Sequence, residues 1–260
     1  MRLTVVGSGD ACNSAGRGHS CYWLDGLSPT ADAPGVMVDF GATALMGLRR
    51  IGRAPEELGT ILFTHLHGDH MGGVPYLLVD ALYGEAPRRA PLEIVGPLGV
   101  RERLEALMQV TYGSLARKER GFELSWEELA PGDELSRSWG RVRGFPADHQ
   151  DPPEQPLCLR VTAATGPTLA FSGDTRLCDG LREAARGVDL LVAECTHLTP
   201  PAGRHTTWQE WRPELTTIGA QRVLLTPLSS SVRARVPELL AEAPAGVALG
   251  FAEDGLVVEV

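Results

Sequence analysis

The stretch Phe63-Thr-His-Leu-His-Gly-Asp-His-Met71 limits this chain more tightly than any other part of it. It contains three of the seven histidines, set between a strand-like run, Thr60–Thr64, and the Gly72-Gly73 pair that opens a helical pattern. Residues two apart on an extended chain point to one side, so His65 and His67 can converge on a single point. Gly68 reads as the residue that lets the chain turn sharply and bring Asp69 and His70 to a second point nearby. Imidazoles and a carboxylate crowded at a strand end are costly unless something satisfies them. A metal does so, and this donor set suits Zn2+, with Mn2+ or Fe as alternatives.

The rest of the chain has to build a platform for that strand end. Short β-branched runs predict strands over Leu3–Val6, Cys21–Leu24, Val36–Phe40, Thr60–Thr64, Leu92–Val95, Arg141–Phe145, Leu157–Val161, Leu169–Ser172, Asp189–Ala193, Arg222–Thr226, Val247–Phe251 and Leu256–Val260. Apolar residues near the 3.6 period predict helices over Ala42–Ile51, Gly73–Tyr83, Gly99–Val110, Asp179–Arg186, Thr207–Gly219 and Val232–Ala241. The first strands precede any helix and the later ones alternate with helices. This fits an α/β fold of two mixed sheets covered by helices better than one parallel sheet. No repeat or long linker divides the chain, so one domain over residues 1–260 is expected. Thr111–Gly140, the most charged and least regular segment, reads as a solvated helix and loop rather than a cap.

Composition removes several function classes. The chain has 33 acidic against 24 basic residues, a net charge of −9, the wrong balance for a broad nucleic-acid-binding surface. No apolar run approaches the roughly 20 residues of a membrane span, and the N-terminus turns polar too soon for a signal-peptide core. A cytoplasmic protein without membrane contact is expected. Cys12, Cys21, Cys158, Cys178 and Cys195 are odd in number and widely spaced, which argues against a disulfide framework or a cysteine zinc site.

The histidine run resembles the signature of the metallo-β-lactamase superfamily, and the resemblance extends over nearly the whole chain in the expected order. Val36-Met-Val-Asp-Phe-Gly41 is similar to the family's strand ending in Asp-x-Gly. Ala147-Asp-His149 stands where a third histidine belongs, Phe171-Ser-Gly-Asp-Thr175 resembles the Gly-Asp-Thr strand, and Asp189–Glu194 resembles the strand after it. The resemblance implies an αβ/βα four-layer sandwich. It makes His65, His67 and His149 the ligands of a first metal and Asp69, His70 and Asp174 those of a second, with Asp174 bridging. Within the superfamily the pattern looks most like ribonuclease Z and its phosphodiesterase relatives, through Gly7-Ser-Gly9, Glu194-Cys-Thr196 and Gly203-Arg-His-Thr-Thr207. That likeness pairs His205 with Glu194: the histidine protonates a leaving alkoxide and the carboxylate fixes its tautomer. Asp69 would accept a proton from the attacking water.

Two departures bear on function. Where the family ends a strand in Thr-His, this chain has Thr226-Pro227, and proline cannot bind a metal. Either His19, His197 or His205 replaces the lost ligand, or water or substrate fills the position, or only one metal is held. Second, 24 residues separate His149 from Asp174, enough for one hairpin but not for the tRNA-gripping arm of the usual bacterial ribonuclease Z. The expectation is a metal-dependent hydrolase of a small phosphodiester or cyclic phosphate. The alternatives are an armless tRNA 3′ endonuclease, a hydrolase of another ester, lactone or sulfate, and a non-catalytic metal-binding module. Many members of the family dimerise, so a homodimer is implied as an option, although no apolar stripe is left over for it.

Overall fold

Strands that are apolar along nearly their whole length must be buried on both faces, and this chain meets the demand with two sheets packed face to face under outer helices. The computed structural model describes residues 1–30 and 33–260. The first sheet holds β1 (Arg2–Gly7), β2 (Cys21–Asp25), β3 (Gly35–Val38), β4 (Leu58–Leu62), β5 (Leu92–Gly96) and β6 (Leu124–Glu128), and β14 (Val257–Glu259) returns to pair with β1. The second holds β7 (Glu134–Arg137), β8 (Gly140–Pro146), β9 (Leu157–Ala163), β10 (Thr168–Phe171), β11 (Leu190–Cys195), β12 (Arg222–Leu228) and β13 (Ala248–Phe251). In the first sheet β14, β1, β2 and β3 pair antiparallel, and β3 to β6 run parallel. The second repeats this, antiparallel from β7 to β10 and parallel from β10 to β13.

Alternation assigns each side chain its layer. Val36 and Val38 of β3 enter the core between the sheets, together with Leu62 of β4 and Leu190 and Val192 of β11. Met37 and Ile61 face the other way, onto α1 (Ala44–Arg50), α3 (Val74–Tyr83) and α4 (Val100–Tyr112). Leu191, Ala193 and Cys195 of β11 pack with α5 (Asp179–Ala185), α6 (Trp208–Glu214) and α8 (Val236–Glu242). Three apolar clusters thus separate four layers, the αβ/βα sandwich. No helix among the described residues is long and apolar enough to cross a membrane.

The structure departs from the sequence reading in three places. Thr111–Gly140 is not a helix and loop: after α4 and a short 3-10 turn it forms β6 and β7, the outermost strands of the two sheets. Edge strands have one unpaired side and carry charge there, so β6 (Leu-Ser-Trp-Glu-Glu) hid in a charged composition. Arg137 of β7 bonds Glu93 on β5 at 2.8 Å and Glu127 on β6 at 3.3 Å, joining one sheet edge to the other. Val232–Ala241 is two helices, α7 (Ser230–Arg233) and α8, because Pro237 lacks the N–H a continuous helix needs there and opens α8 instead. α6 carries Pro213 inside it, one backbone donor short, and ends at Glu214, well before Gly219.

Leu62, 1% exposed in the core between the sheets, should cost about 2–5 kcal/mol when cut to alanine. Tyr76, 48% exposed on α3, should change stability by no more than about 0.5 kcal/mol as Tyr76→Ala. Urea unfolding of the two variants beside the parent protein checks the contrast.

Candidate metal centre

The parallel strands β3, β4, β10 and β11 all end on one side of the sandwich, and there the polar residues collect. Asp39 follows β3, is 1% exposed and adopts a φ of 58°, a left-handed conformation that aspartate tolerates better than most residues. Its Oδ1 accepts the Thr64 backbone N–H at 2.9 Å, and its Oδ2 accepts from Thr64 Oγ1 at 2.9 Å and from His70 Nδ1 at 2.7 Å. The Thr64 hydroxyl spends its one hydrogen on Asp39, so at 3.1 Å it accepts from His65 Nδ1. Both tautomers follow: His65 and His70 carry hydrogen on Nδ1 and present bare Nε2 atoms outward.

The turn after His67 is made differently from the sequence reading. A single helical turn, α2 (Gly68–Met71), starts there, with the His70 and Met71 N–H groups donating to the His67 carbonyl at 3.1 and 3.0 Å. Gly68 has an ordinary φ, and a Cβ on it would meet nothing, so it is not required for the turn. Gly41 is: its Cβ would lie 2.0 Å from the Asp69 carbonyl oxygen, and its absence lets the loop settle against the end of β3.

The second sheet supplies the opposing half. His149 follows β8, and its Nδ1 donates to the Arg204 carbonyl at 3.1 Å, which frees Nε2 for the centre. Asp174 follows β10 across Gly173, whose φ is 57° and on which a Cβ would lie 2.7 Å from Thr64 Cβ, leaving no room for a side chain. Glu194, fully buried on β11, accepts from His205 Nδ1 at 3.1 Å. His205 precedes α6, whose Thr207 and Glu210 form a reciprocal cap, and the Trp211 indole N–H bonds the Glu194 carbonyl at 2.6 Å.

These side chains bring their donor atoms together in overlapping sets: His65, His67 and His149; His65, His70 and Asp174; and His149, Asp174 and His205. His149 Nε2 stands 3.0 Å from His67 Nδ1. His70 Nε2 is 3.4 Å from Asp69 Oδ2 and 3.5 Å from Asp174 Oδ1. Asp174 Oδ2 faces the other way, 4.0 Å from His65 Nε2 and 3.9 Å from His149 Nε2. Donors sharing one tetrahedral zinc sit roughly 3.3 Å apart, close to these spacings. His65 Nε2, His70 Nε2 and Asp174 Oδ1 are buried without hydrogen-bond partners, although buried polar atoms are otherwise almost always satisfied. Unpartnered lone pairs of this kind fit divalent metals.

The two halves are unequal. His65, His67 and His149 make three imidazole donors, while Asp69, His70 and Asp174 make three donors with no fourth from β12. Pro227 there is buried and borders a polar cavity of about 10 Å³ beneath His70, with Ser20, Thr64 and Thr226 also on its wall. Of the three histidines that stood as replacements, His205 alone enters the cluster, with Nδ1 3.9 Å from Asp174 Oδ2. His197 is exposed, its ring 6.5 Å from that of His205, and His19 is buried in the loop before β2, outside the grouped donors.

Burial and charge set the protonation states. Burial, helped by the neighbouring imidazoles, holds His65 well below the usual histidine range, so it is neutral as a ligand must be. Burial opposes ionisation of Asp174, but without a metal a proton on His70, which Asp174 and Asp39 hold there against burial, outweighs it and keeps the carboxyl below its ordinary value; a metal at His70 Nε2 would take that proton's place. Burial would likewise raise Asp69, and His70 turns that into a net lowering. Burial pushes Glu194 up to about 7 against the pull of His205. His205 goes to about 9, because Glu194 overcomes the burial that would lower it. The pair therefore shares a proton that rests on the imidazole.

The fold brings the ligand candidates named from the sequence close together; what holds them there was not visible in it. Asp39 was visible only as part of a strand ending. Thr175 had no signal beyond its place in Gly-Asp-Thr, yet it links four parts of the centre. Its N–H donates to Glu194 at 2.6 Å, its hydroxyl accepts from the Asp148 N–H at 2.9 Å, its carbonyl accepts from Thr206 Oγ1 at 2.7 Å, and its Oγ1 lies 3.6 Å from Cys178 Sγ. Cys178 is in none of the donor sets and caps α5. A hydrogen bond from Cys158 outweighs burial and, with the Leu181 N–H, lowers the Cys178 thiol to about 5.

A four-layer sandwich with donors at its strand ends is the metallo-β-lactamase fold. A family model described as the beta-lactamase superfamily domain matches residues 36–226, so the chain belongs to that superfamily of hydrolases. A ribonuclease Z of Methanothermobacter thermautotrophicus is 26% identical over 313 aligned positions, covering 100% of this chain and 97% of the relative. Among solved structures, the metallo-beta-lactamase fold protein YhfI from Bacillus subtilis superposes with a TM-score of 0.78 at 20% identity, covering 99% of this chain and 98% of that one. The short form of human tRNase Z does so with a TM-score of 0.75 at 23% identity, covering 100% and 99%.

Asp39→Asn keeps the shape of the side chain but removes the charge that fixes His70. It should weaken metal retention about 10–100-fold in chelator competition, with an unchanged far-ultraviolet spectrum. The Cys178 thiol, at about 5, should alkylate with iodoacetamide almost as fast at about pH 6 as at about pH 7.5. An ordinary thiol with a pKa of about 8.5 loses about thirtyfold over that interval.

Proposed function

We propose that this protein is a metal-dependent phosphodiesterase acting on a small phosphodiester or cyclic phosphate. The observation that carries the reading is the His205–Glu194 pair, at 3.1 Å, set beside Asp174 and the imidazole donors. Zn2+ suits the donors, and Mn2+ or Fe would be accepted by the same atoms. The residues that would hold metal are His65, His67 and His149 on one side and Asp69, His70 and Asp174 on the other, with the two oxygens of Asp174 turned to both. When bound, such ions supply Lewis acidity, activating water and polarising a phosphoryl group.

The chain's own residues do the rest. Asp69, partly exposed and ionised, is the acceptor for the proton of the attacking water. His205 carries a proton that Glu194 keeps on the ring and is placed to give it to the leaving oxygen. Glu194 acts by orientation, as it is fully buried and touches no substrate. Beside Leu66 and Gln150, next to the metal-binding histidines, lies a cleft of about 510 Å³ walled by Pro97, Leu98, Arg103 and Glu154. Arg103 and Glu154 are paired at 3.1 Å, so the cleft offers apolar surface without a free cationic patch. That favours the organic part of a small ester over a polyanionic strand.

The reading as a tRNA 3′ endonuclease draws on the ribonuclease Z relatives. Against it stand the −9 charge and the plain β9–β10 hairpin between His149 and Asp174. The test is hydrolysis of bis(p-nitrophenyl) phosphate. A rate abolished by chelation and restored by Zn2+ or Mn2+ is expected. His205→Ala should lower it about 10²–10⁴-fold at unchanged metal content. A chelator-insensitive rate, or turnover confined to a lactone or phenyl sulfate, would overturn the phosphodiesterase reading. Salt-sensitive retention and cleavage of precursor tRNA would replace it with the nuclease.

A further inference from the structure

The half of the centre that uses Asp69, His70 and Asp174 is one donor short, and the shortage is built into the end of β12. His70 Nε2 stands 3.4 Å from Asp69 Oδ2 and 3.5 Å from Asp174 Oδ1, so three donors border one point. Pro227, on the side where a fourth would stand, is buried and has no side-chain donor. The nearby hydroxyls of the same strand end are engaged elsewhere. Thr226 Oγ1 faces the Tyr22 hydroxyl at 3.4 Å, and Ser229 Oγ accepts the Val232 N–H at 3.4 Å to start α7. The cavity between Pro227 and His70, about 10 Å³, has room for one water and none for a larger group. Solvent reaches this half from the other side, where the Asp69 carboxylate is 17% exposed while His70 and Asp174 are buried.

None of the spare histidines completes the set. His205 makes its close approach to Asp174 at Oδ2, the oxygen that also faces His65 and His149, whereas His70 meets Oδ1. The Nδ1 of His205 is bonded to Glu194. His19 packs its Cβ against Gly41 and joins none of the donor sets, and His197 is exposed beyond His205.

We propose that the two halves fill in order. The half made by His65, His67 and His149 takes its ion from solution, and the half made by Asp69, His70 and Asp174 fills together with a phosphate group, one of whose oxygens stands in for the missing side chain. This rests on the reading of the site as a phosphodiesterase centre. Charge favours an anion as the completing group. Asp39, Asp69 and Asp174 bring three carboxylates to the centre, while Glu194 and His205 offset each other. One dication leaves the centre negative, which repels a phosphate; a second makes it positive, which attracts one. A neutral lactone offers an oxygen without that charge. The coupling is mutual: the factor by which phosphate tightens the second ion is the factor by which the second ion tightens phosphate.

The test is the zinc content of the full-length protein, read by elemental mass spectrometry after dialysis against zinc held at a fixed free level by a chelating buffer, with and without inorganic phosphate. One ion per chain without phosphate and two with it are expected, with phosphate tightening the second ion about tenfold or more. Calorimetry of phosphate binding at the two zinc levels should return the same factor. Asp69→Asn should keep the first ion and lose the phosphate-dependent one, whereas His19→Ala should keep both. Pro227→His restores a donor and should take up two ions without phosphate; if that variant does not fold, Asp69→Asn decides. Two ions in the parent without phosphate, or a single ion at every phosphate level, would overturn the proposal. So would a phosphate-dependent ion that survives Asp69→Asn or is lost in His19→Ala. Zinc content does not depend on turnover, so this result and the hydrolysis of bis(p-nitrophenyl) phosphate can fail separately.

Discussion

A buried carboxylate, Asp39, holds the rest of the centre in place. It is satisfied by hydrogen bonds from the Thr64 backbone, the Thr64 hydroxyl and His70 Nδ1. Leaving such a charge unsatisfied in the interior would cost several kcal/mol, so the loop after β4 is bound to return to it. That return sets the tautomers of His65 and His70 and aims their free nitrogens at a common space. The loop's order is thus settled by hydrogen bonds one layer beneath the donors.

The donors come from two sheets of the same design. In each, antiparallel strands give way to parallel ones, and the parallel strands end on the same side, where open α/β sheets generally bind ligands. β4 delivers His65, His67, Asp69 and His70, while β8, β10 and β11 deliver His149, Asp174 and Glu194. His205 arrives on the connection to α6, anchored by the Thr207 cap and the Trp211 indole. Asp174, one oxygen toward each group, is the point at which the two contributions meet.

Much of this could be read from the residues in order. H-x-H-x-D-H carries its own geometry, since the strand period and a following turn are enough to place four donors near one another. The strands of the core were visible because both faces are apolar. What stayed hidden depends on partners distant in sequence. Thr175 has meaning only once Asp148, Glu194 and Thr206 surround it, and β6 and β7 are strands only because β5 and β8 offer them an edge. Gly68 invited a steric explanation that its open surroundings do not need, whereas the tight approach at Gly41 left no mark in the sequence. Pro237 and Pro213 were in plain view, and their effect on helix length was underestimated against the apolar period.

The origin of the donors on both sheets has a consequence for folding. Neither half of the chain carries every donor of the proposed centre, so on that reading full metal affinity would be reached only once the sandwich has closed. An excursion that parts the sheets would weaken it. A bound ion then acts as a clasp across the core: at a hundred times its dissociation constant it would favour the closed state by about 2.7 kcal/mol, and the unfolded chain gains nothing comparable. Metal supply in the cell would in this way govern how much of the protein persists as well as how fast it works.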